Sequence, residues 1–262
     1  ETKNYLSDEF GRCDRESSCG YHLPPTSNPT LVDSTKIKPL QPISTIDSRF
    51  VSASENKYDE NHLFQYLTQH FKEEEILQCF KKYKVGTSKH WKGATVFWQI
   101  DQNNKVRSGK IMLINPSTGK RVKEPFPHIN WVHSVLGLKD YNLKQCLFGE
   151  HLVAKPLQQI ATKVECIIIS AGKKDALTLI ANGFTAVSFR SENQHITEEQ
   201  FQKLQNSCNQ LFICYDNDKA GENAQKRIIE KYPKIIPLQL PDDINDVADL
   251  FSMKGKDEFL SY

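Results

Sequence analysis

The fold class follows most directly from residues 164–183, which run Val164-Glu165-Cys166-Ile167-Ile168-Ile169-Ser170-Ala171-Gly172-Lys173-Lys174-Asp175-Ala176-Leu177-Thr178-Leu179-Ile180-Ala181-Asn182-Gly183. The first seven residues have the length and apolar character of a buried strand, and Ala171-Gly172 is a tight exit from it. Beyond it the apolar residues recur at helical spacing, and Gly183 stands where a left-handed residue ends a helix. This segment predicts a strand, a turn and a helix in succession.

The same alternation continues towards the end of the chain. Further strands are predicted at residues 184–189, 211–215 and 235–238, with helices after Thr197 and from Gly221. Strands separated by helices of this length are typical of a parallel sheet with right-handed crossovers. We therefore predict an α/β fold over residues 160–262, a four-stranded parallel sheet with flanking helices.

Acidic residues gather where the predicted strands end. The third strand runs into Asp216-Asn217-Asp218, which places two carboxylates on one face of an extended chain. Further acids expected at the same edge are Asp175, Asp242, Asp243 and Asp246. Neighbouring anions repel, and Mg²⁺ or Mn²⁺ bound by these oxygens would relieve the repulsion. The alternative is that Asp216 and Asp218 only form an Asx turn and a helix cap.

Charge is divided unevenly along the 262 residues, whose formal net charge is +2. Residues 81–145 hold 13 Lys and Arg against 3 Asp and Glu, while the rest holds 21 basic and 29 acidic residues. Cations neutralise backbone phosphates, and aromatic rings stack on bases. The segment predicts a nucleic-acid-binding surface, with candidate contacts Lys89, Lys92, Arg107, Lys110, Lys120, Arg121, Lys123, Trp91 and Trp131. The alternatives are a solvated charged face and tryptophans in the core, where we expect Trp98.

The basic segment belongs to a smaller lobe that precedes the parallel sheet. Spacings of three and four among apolar residues from Leu63 to Phe80 predict two short amphipathic helices. Residues 95–100 and 106–114 are β-rich runs on either side of a turn, which predicts a hairpin. We therefore expect a basic α+β lobe over residues 58–155.

The N-terminal residues divide into a polar segment, 1–22, and a linker rich in Pro, Ser and Thr, 23–57. Cys13, Cys19 and His22 are candidate zinc ligands. Structural zinc needs four ligands and usually a closely spaced cysteine pair, whereas here five residues separate the two cysteines. The segment is thus either a partial zinc-ribbon-like module or simply polar. Because Glu1 is not a starter methionine, we expect the chain to be a fragment of a longer protein.

Several classes of protein are not expected. No apolar run approaches the roughly 20 residues of a membrane helix, and no secretory signal opens the chain. Its 7 cysteines are scattered and odd in number, which argues against a disulfide framework. These features predict a cytoplasmic protein without a membrane partner. The Ser117-Thr118-Gly119-Lys120 run lacks the first glycine of a phosphate loop, so no attached helicase motor is predicted.

Three stretches together resemble the signature motifs of the TOPRIM domain of bacterial and phage DNA primases. They are Ile167 to Leu177, Tyr215-Asp216-Asn217-Asp218-Lys219-Ala220-Gly221, and Asp243-Ile244-Asn245-Asp246. Upstream, Lys84-Val85-Gly86-Thr87, Val96 to Asp101 and Cys146 to Leu152 are similar to the lobe that precedes TOPRIM in those enzymes. The resemblance also extends to TOPRIM proteins of mobile elements in Bacteroidetes.

The resemblance implies primer synthesis on single-stranded DNA, or RNA, during replication of a mobile element or phage. Nucleoside triphosphates would be substrates, and a separate helicase could be a partner. The implied metal ligands are Asp216, Asp218, Asp243 and Asp246, and the implied catalytic residues are Asp216, Asp218 and Asp175. Primases of this type also commonly begin with a zinc-binding module.

The chain departs from the family at Ala171, where the first motif has a glutamate that is thought to act as a general acid or base. Glu192 could substitute for it. Lys173 and Lys174 add positive charge, which could hold phosphate but would disfavour a cation nearby. Two alternatives therefore stay open, a TOPRIM nuclease and a catalytically altered TOPRIM protein that only binds nucleic acid.

Overall fold

The computed structural model describes residues 10–12, 22–24, 42–153, 163–189 and 196–259. The chain forms two compact units, Glu1–Pro42 and Ile43–Tyr262. In the first unit, β1 (Gly11–Arg12) pairs antiparallel with β2 (His22–Leu23). The second unit contains the predicted basic lobe and the predicted α/β region.

The basic lobe is built on an antiparallel sheet. Its elements are α1 (Arg49–Ser54), α2 (His62–Leu67), α3 (Glu73–Tyr83), β3 (Val85–Ser88), β4 (Ala94–Ile100), β5 (Val106–Met112), β6 (Ile129–Trp131), α4 (Val132–Val135) and α5 (Glu150–Val153). The strand order is β3-β4-β5-β6. All seven residues of β4 are buried, because this strand is central and covered on both faces. The predicted hairpin corresponds to β4 and β5, which pair antiparallel.

The α/β region is confirmed as a four-stranded parallel sheet with flanking helices. Its elements are β7 (Val164–Ser170), α6 (Lys173–Ala181), β8 (Ala186–Ser188), α7 (Glu198–Ser207), β9 (Cys208–Cys214), α8 (Lys219–Lys231), β10 (Ile236–Pro237) and α9 (Val247–Phe259). The strand order is β10-β9-β7-β8, and every neighbouring pair is parallel. None of the helices in the described ranges is long and apolar enough to cross a bilayer.

The two sheets are joined by one hydrophobic core. Side chains of α2 and α3, such as Leu63 and Phe80, share a buried cluster with Leu177 of α6. Phe71 stacks face to face on Phe251 of α9, with ring centroids 4.3 Å apart and planes 7° from parallel. The lobe helices therefore pack against the helices that flank the parallel sheet.

The predicted linker extends too far towards the C-terminus. Ile46 is buried and its N–H donates to the carbonyl of Val106 at 2.9 Å. In α1, Ser54 is buried and its hydroxyl accepts a hydrogen bond from Trp98 Nε1 at 2.8 Å. A buried indole N–H needs such an acceptor, so the end of the Ser-rich segment packs on the sheet as part of the lobe. Residues 25–41 lie outside the described residues.

Candidate active site at the acidic edge of the parallel sheet

The carboxyl ends of β7 and β9 lie side by side, with Ser170 paired to Cys214 in parallel register. Burial raises the pKa of the Cys214 thiol to about 12. Three carboxylates add to this shift through their negative charge, those of Asp175, Asp216 and Asp246. One acid from the first turn of α6 and two from the loops after β9 and β10 therefore lie around the end of β9. We call this group of three, Asp175, Asp216 and Asp246, the acidic edge.

Asp175 is the most deeply placed acid of this group, with 6% of its surface exposed. Burial, followed by the negative charge of Asp246, raises the pKa of its carboxyl group to about 6. Its Oδ1 accepts a hydrogen bond from the backbone N–H of Ala248 at 3.3 Å. A side chain at Gly172 would overlap the Asp175 carboxylate, so the glycine at the exit of β7 leaves room for this acid.

Lys174 brings a positive charge into the acidic edge. Its Nζ lies 3.3 Å from Asp246 Oδ2, and both side chains are only 16% exposed. Burial disfavours the charged lysine, but the carboxylates of Asp175 and Asp246 outweigh it and raise the pKa of Lys174. Asp246 also accepts a 2.7 Å hydrogen bond from the N–H of Asp249. Asp246 is thus shared between a lysine and the start of α9.

The loop that carries Asp216 and Asp218 is clamped by Asn217 between them. The Asn217 side-chain amide donates to three backbone carbonyls of the loop after β10, those of Leu240, Pro241 and Ile244, at 3.3, 2.9 and 3.0 Å. Its backbone N–H donates to the carbonyl of Asn245 at 2.7 Å. These bonds fix the two acid-bearing loops relative to each other.

Asp218 caps the N-terminus of α8, where its Oδ1 accepts the N–H of Gly221 at 2.8 Å. The helix-cap interpretation of this residue therefore holds in the structure, and Asp218 is exposed. Gly221 is required because a side chain there would overlap the backbone of Asp216. Asp216 itself is half-buried.

The described residues contain no group of three or more His, Cys, Asp or Glu side chains that could jointly hold a metal ion. Asp243 is exposed on the loop after β10, and Asp246 is engaged by Lys174. The four acids named from the sequence thus do not form a closed protein cage. Such a cage is usual for calcium, whereas magnesium is commonly held by one or two carboxylates together with substrate phosphates.

Ala171 is 7% exposed and packs in the apolar cluster beneath the sheet, so its methyl group is a core contact. The neighbouring Lys173 is 5% exposed, and its ammonium donates to the carbonyl of Phe189 at 3.0 Å. This burial limits the access of Lys173 to a phosphate, in contrast to the sequence interpretation. Glu192 lies outside the described residues.

Arg107 was predicted to contact nucleic acid, but in the structure its guanidinium is bound inside the protein. Its Nε lies 2.7 Å from Asp101 Oδ2, with the two side chains 12% and 10% exposed. The guanidinium also donates to the carbonyl of Ser44 at 3.3 Å. Arg107 therefore joins the N-terminal segment of the lobe to the β4–β5 turn, and its charge is neutralised inside the protein.

The other predicted cations lie mostly on the surface. Lys110 is half-buried, and five residues are exposed, namely Lys89, Lys92, Lys120, Arg121 and Lys123. Trp98 is buried, as expected, whereas Trp91 and Trp131 are half-buried. The basic lobe thus keeps most of its predicted contact residues accessible.

A ring cluster on the lobe was missed in the sequence and consists of His90, Trp91, Phe126 and His128. Phe126 stacks on His128 with centroids 4.4 Å apart, and Trp91 meets His128 edge-on at 5.2 Å. The residues come from two segments far apart in the chain, so no periodic pattern marks them. The available signal was Pro125-Phe126-Pro127, a phenylalanine held between two prolines in a polar segment.

The zinc prediction falls largely outside the described residues. Cys13 and Cys19 are not described, and of His22 only the backbone is, as part of the β1–β2 pair.

Residues 61–208, more than half of the chain, match the domain family DUF6371, whose function is unknown. The chain belongs to the DUF6371 family. This DUF6371 protein also matches the Toprim-like family over residues 168–250 and a zinc beta-ribbon finger family over residues 1–31. The resemblance to TOPRIM primases that the motifs suggested is confirmed, as is that of the N-terminal segment to a zinc ribbon.

A curated relative of this DUF6371 protein is the DNA primase of Rickettsia typhi, which is 29% identical over 120 residues. The match covers 43% of this chain and 19% of the relative, so the chain spans about a fifth of that primase.

Solved structures with a similar fold are primase catalytic cores. The DnaG catalytic core superposes with a TM-score of 0.56 at 15% identity, over 82% of this chain and 76% of that one. The RNA polymerase domain of Mycobacterium tuberculosis DnaG gives a TM-score of 0.55 at 13% identity, over 82% and 80%. A DnaG catalytic domain bound to single-stranded DNA gives 0.54 at 16% identity, over 82% and 77%. At these identities the likeness establishes the fold alone.

Proposed function

We propose that this protein is a primase-like enzyme that carries out metal-dependent nucleotidyl transfer on single-stranded DNA. The observation that carries the proposal is the placement of Asp216 and Asp218 just after β9, one of the two inner strands of the sheet, on a loop held by Asn217. Phosphoryl transfer asks a protein mainly for positioning and for stabilisation of charge. A rigid pair of acids at the carboxyl edge of a parallel sheet meets the first requirement.

Asp216 and Asp218 would hold Mg²⁺ or Mn²⁺ together with phosphates of a nucleoside triphosphate. The metal would lower the barrier by stabilising negative charge on the transferred phosphorus group. Asp175 and Asp246 would remain outside the immediate shell, because the first is buried and the second is paired with Lys174. Lys174 would attract the triphosphate through its positive charge. Asp243 could join only from the exposed loop after β10.

The basic lobe would bind the template strand. Its exposed cations, Lys89, Lys92, Lys120, Arg121 and Lys123, can neutralise phosphates of single-stranded DNA or RNA. A separate helicase could supply the strand during replication of a mobile element in the cytoplasm. The zinc-ribbon match supports a zinc ion at Cys13, Cys19 and His22, completed by a ligand outside this set.

A second candidate function is nucleic-acid binding without catalysis. It is favoured by Ala171, which can neither move a proton nor bind a metal, and by the Lys174–Asp246 ion pair at 3.3 Å. With alanine in place of the motif's glutamate and one aspartate already paired with a lysine, the acidic edge offers fewer carboxylates to a metal ion than the family motif does.

The two functions are separated by nucleotide incorporation on a single-stranded template with Mg²⁺ or Mn²⁺. The wild type should extend or initiate a strand, and Asp216→Asn should abolish incorporation while template binding stays unchanged. Asp59→Asn, an exposed acid in the lobe, is the matched control and should keep wild-type activity. If the wild type bound the template but incorporated nothing with either metal, binding without catalysis would be the function.

A further inference from the structure

The ring cluster on the basic lobe has no role in the chemistry at the acidic edge. Its rings follow one another from His90 to Trp91 at 4.3 Å, from Trp91 to His128 at 5.2 Å, and from His128 to Phe126 at 4.4 Å. Phe126 ends the series and is 51% exposed, an unusual fraction for a phenylalanine. One face of the Phe126 ring lies on the imidazole of His128 at 22° from parallel, so the exposed surface is the opposite side.

The cluster is held in place by the backbone around it. The N–H of His128 donates to the carbonyl of Val122 at 3.2 Å, and its carbonyl accepts from Leu113 at 3.1 Å. Asn130 Nδ2 lies 3.1 Å from His90 Nε2 and ties the far end to β6. A ring supported in this way loses little further freedom when it binds a flat partner.

Exposed cations flank the cluster on both of its segments. Lys89 and Lys92 enclose His90-Trp91, and three more precede Phe126, namely Lys120, Arg121 and Lys123. An aromatic face among cations complements a ligand that is a flat ring on a polyanionic backbone. A single-stranded nucleic acid has both features, because its bases are unpaired and its phosphates regularly spaced.

The segment that carries Phe126 also contacts α2, the lobe helix that shares a buried cluster with α6 of the parallel sheet. Its turn at Gly119 lies against the ring of Tyr66 so closely that a side chain there would overlap it. Burial raises the pKa of Tyr66, and the charges of Lys174 and Asp249 also act on that group. The ring of Tyr66 also meets His70 edge-on at 5.1 Å, and His70 meets Phe251 of α9 at 6.2 Å, so the segment that carries Phe126 is connected through these rings to the helix that follows Asp246.

We propose that Phe126, supported by His128 and Trp91, is a stacking platform for a base of single-stranded nucleic acid. The platform deepens the proposed function, on which it rests, by naming where the lobe grips bases and not only phosphates. The exposed cations hold the strand by charge, and Phe126 adds a contact that requires the base itself.

The test compares two labelled oligonucleotides of equal length and charge, oligo(dT) and its abasic counterpart, by fluorescence anisotropy with the full chain. Phe126→Ala should weaken binding of oligo(dT) by about 5- to 150-fold, the range expected for loss of one stacked base. Binding of the abasic strand should stay within about twofold of wild type, since its phosphates are unchanged. Phe126→Trp should restore the preference for the base-bearing strand.

Phe50→Ala is the matched control, because Phe50 is similarly exposed, at 45%, and lies on α1 outside the ring cluster. It should bind both strands as the wild type does. An equal loss on both strands in Phe126→Ala, or no loss on either, would overturn the platform. The assay contains neither metal nor nucleotide, so its failure is independent of the incorporation experiment with Asp216→Asn.

Discussion

The basic lobe and the acidic edge use charge in opposite ways. The cations of the lobe are mostly exposed and spread over one segment, whereas the acids after β7, β9 and β10 are drawn together and partly buried. Exposed charges act over distance and are weakened by salt, while buried ones are fixed by hydrogen bonds and shift one another's pKa. The lobe is therefore suited to holding a long polyanion, and the acidic edge to holding one group in one position.

The largest expected effect tests whether the basic lobe and the parallel-sheet region unfold together or independently. Phe251→Ala removes the ring that stacks on Phe71 and should lower the free energy of unfolding by about 3–5 kcal/mol. All three tryptophans belong to the lobe, whereas Phe251 lies on α9 beside the parallel sheet. Tryptophan fluorescence during denaturation therefore reports the unfolding of the lobe. The fluorescence midpoint should fall together with the circular dichroism midpoint.

Met253→Ala, on the same helix and 63% exposed, is the control and should change stability by less than about 0.5 kcal/mol. An unchanged fluorescence midpoint in Phe251→Ala would mean that the lobe folds independently of the parallel sheet.

A second effect distinguishes the acidic edge by its pH dependence. The pKa of Asp175 is about 6 in the folded protein, above its usual value of 3.8, so folding favours the protonated form. The contribution of Asp175 to the free energy of unfolding is fully present below pH 3.8 and is lost as the pH rises to about 6. At 1.36 kcal/mol per pKa unit, this loss is roughly 2–3 kcal/mol. Asp175→Asn should therefore be more stable than wild type at pH 7, with the difference vanishing near pH 4.

Urea denaturation in the presence of a chelator measures this difference without interference from bound cations. Parallel stability profiles for the wild type and Asp175→Asn between pH 4 and 7 would refute the burial of this acid in its neutral form.

A third, smaller effect separates two cations within the lobe. Arg107→Gln should lower the unfolding free energy by about 1–3 kcal/mol, because Asp101 loses its partner in a largely buried position.

Lys123→Gln, by contrast, should leave stability unchanged and reduce the salt dependence of binding to single-stranded DNA, with a slope of log K against log salt that is smaller by about 0.7. Chemical denaturation and binding at several salt concentrations measure both quantities. A change of salt slope in Arg107→Gln with intact stability would return Arg107 to the binding surface.

Local patterns were sufficient for the parallel sheet. Neighbouring residues alone indicate each element. The apolar run before Ala171 predicts a strand, Thr197 predicts the start of a helix, and the acids after Cys214 predict a loop. The end of the linker was not predictable in this way, because Ser-rich composition says nothing of the contact between Ser54 and Trp98.

Partners that are distant in the chain account for the remaining differences at the site. From the sequence alone, Arg107 is one more surface cation and Lys174 an unpaired one; in the structure Arg107 lies beside Asp101, and Lys174 lies 3.3 Å from Asp246. The ring cluster likewise exists only once residues 90–91 and 126–128 meet. Spacing reveals which residues share a strand or helix face, but it does not reveal which charges neutralise each other.

The most direct measurement for the proposed catalysis is the binding of Mn²⁺, followed by electron paramagnetic resonance, with and without a non-hydrolysable nucleoside triphosphate. Because Asp216 and Asp218 would supply only part of the coordination shell, the wild type should bind Mn²⁺ far more tightly when the triphosphate is present. Asp216→Asn should lose that enhancement, whereas Asp59→Asn should retain it. Identical Mn²⁺ binding by the wild type and Asp216→Asn in the presence of the triphosphate would contradict a metal-dependent site at the end of β9.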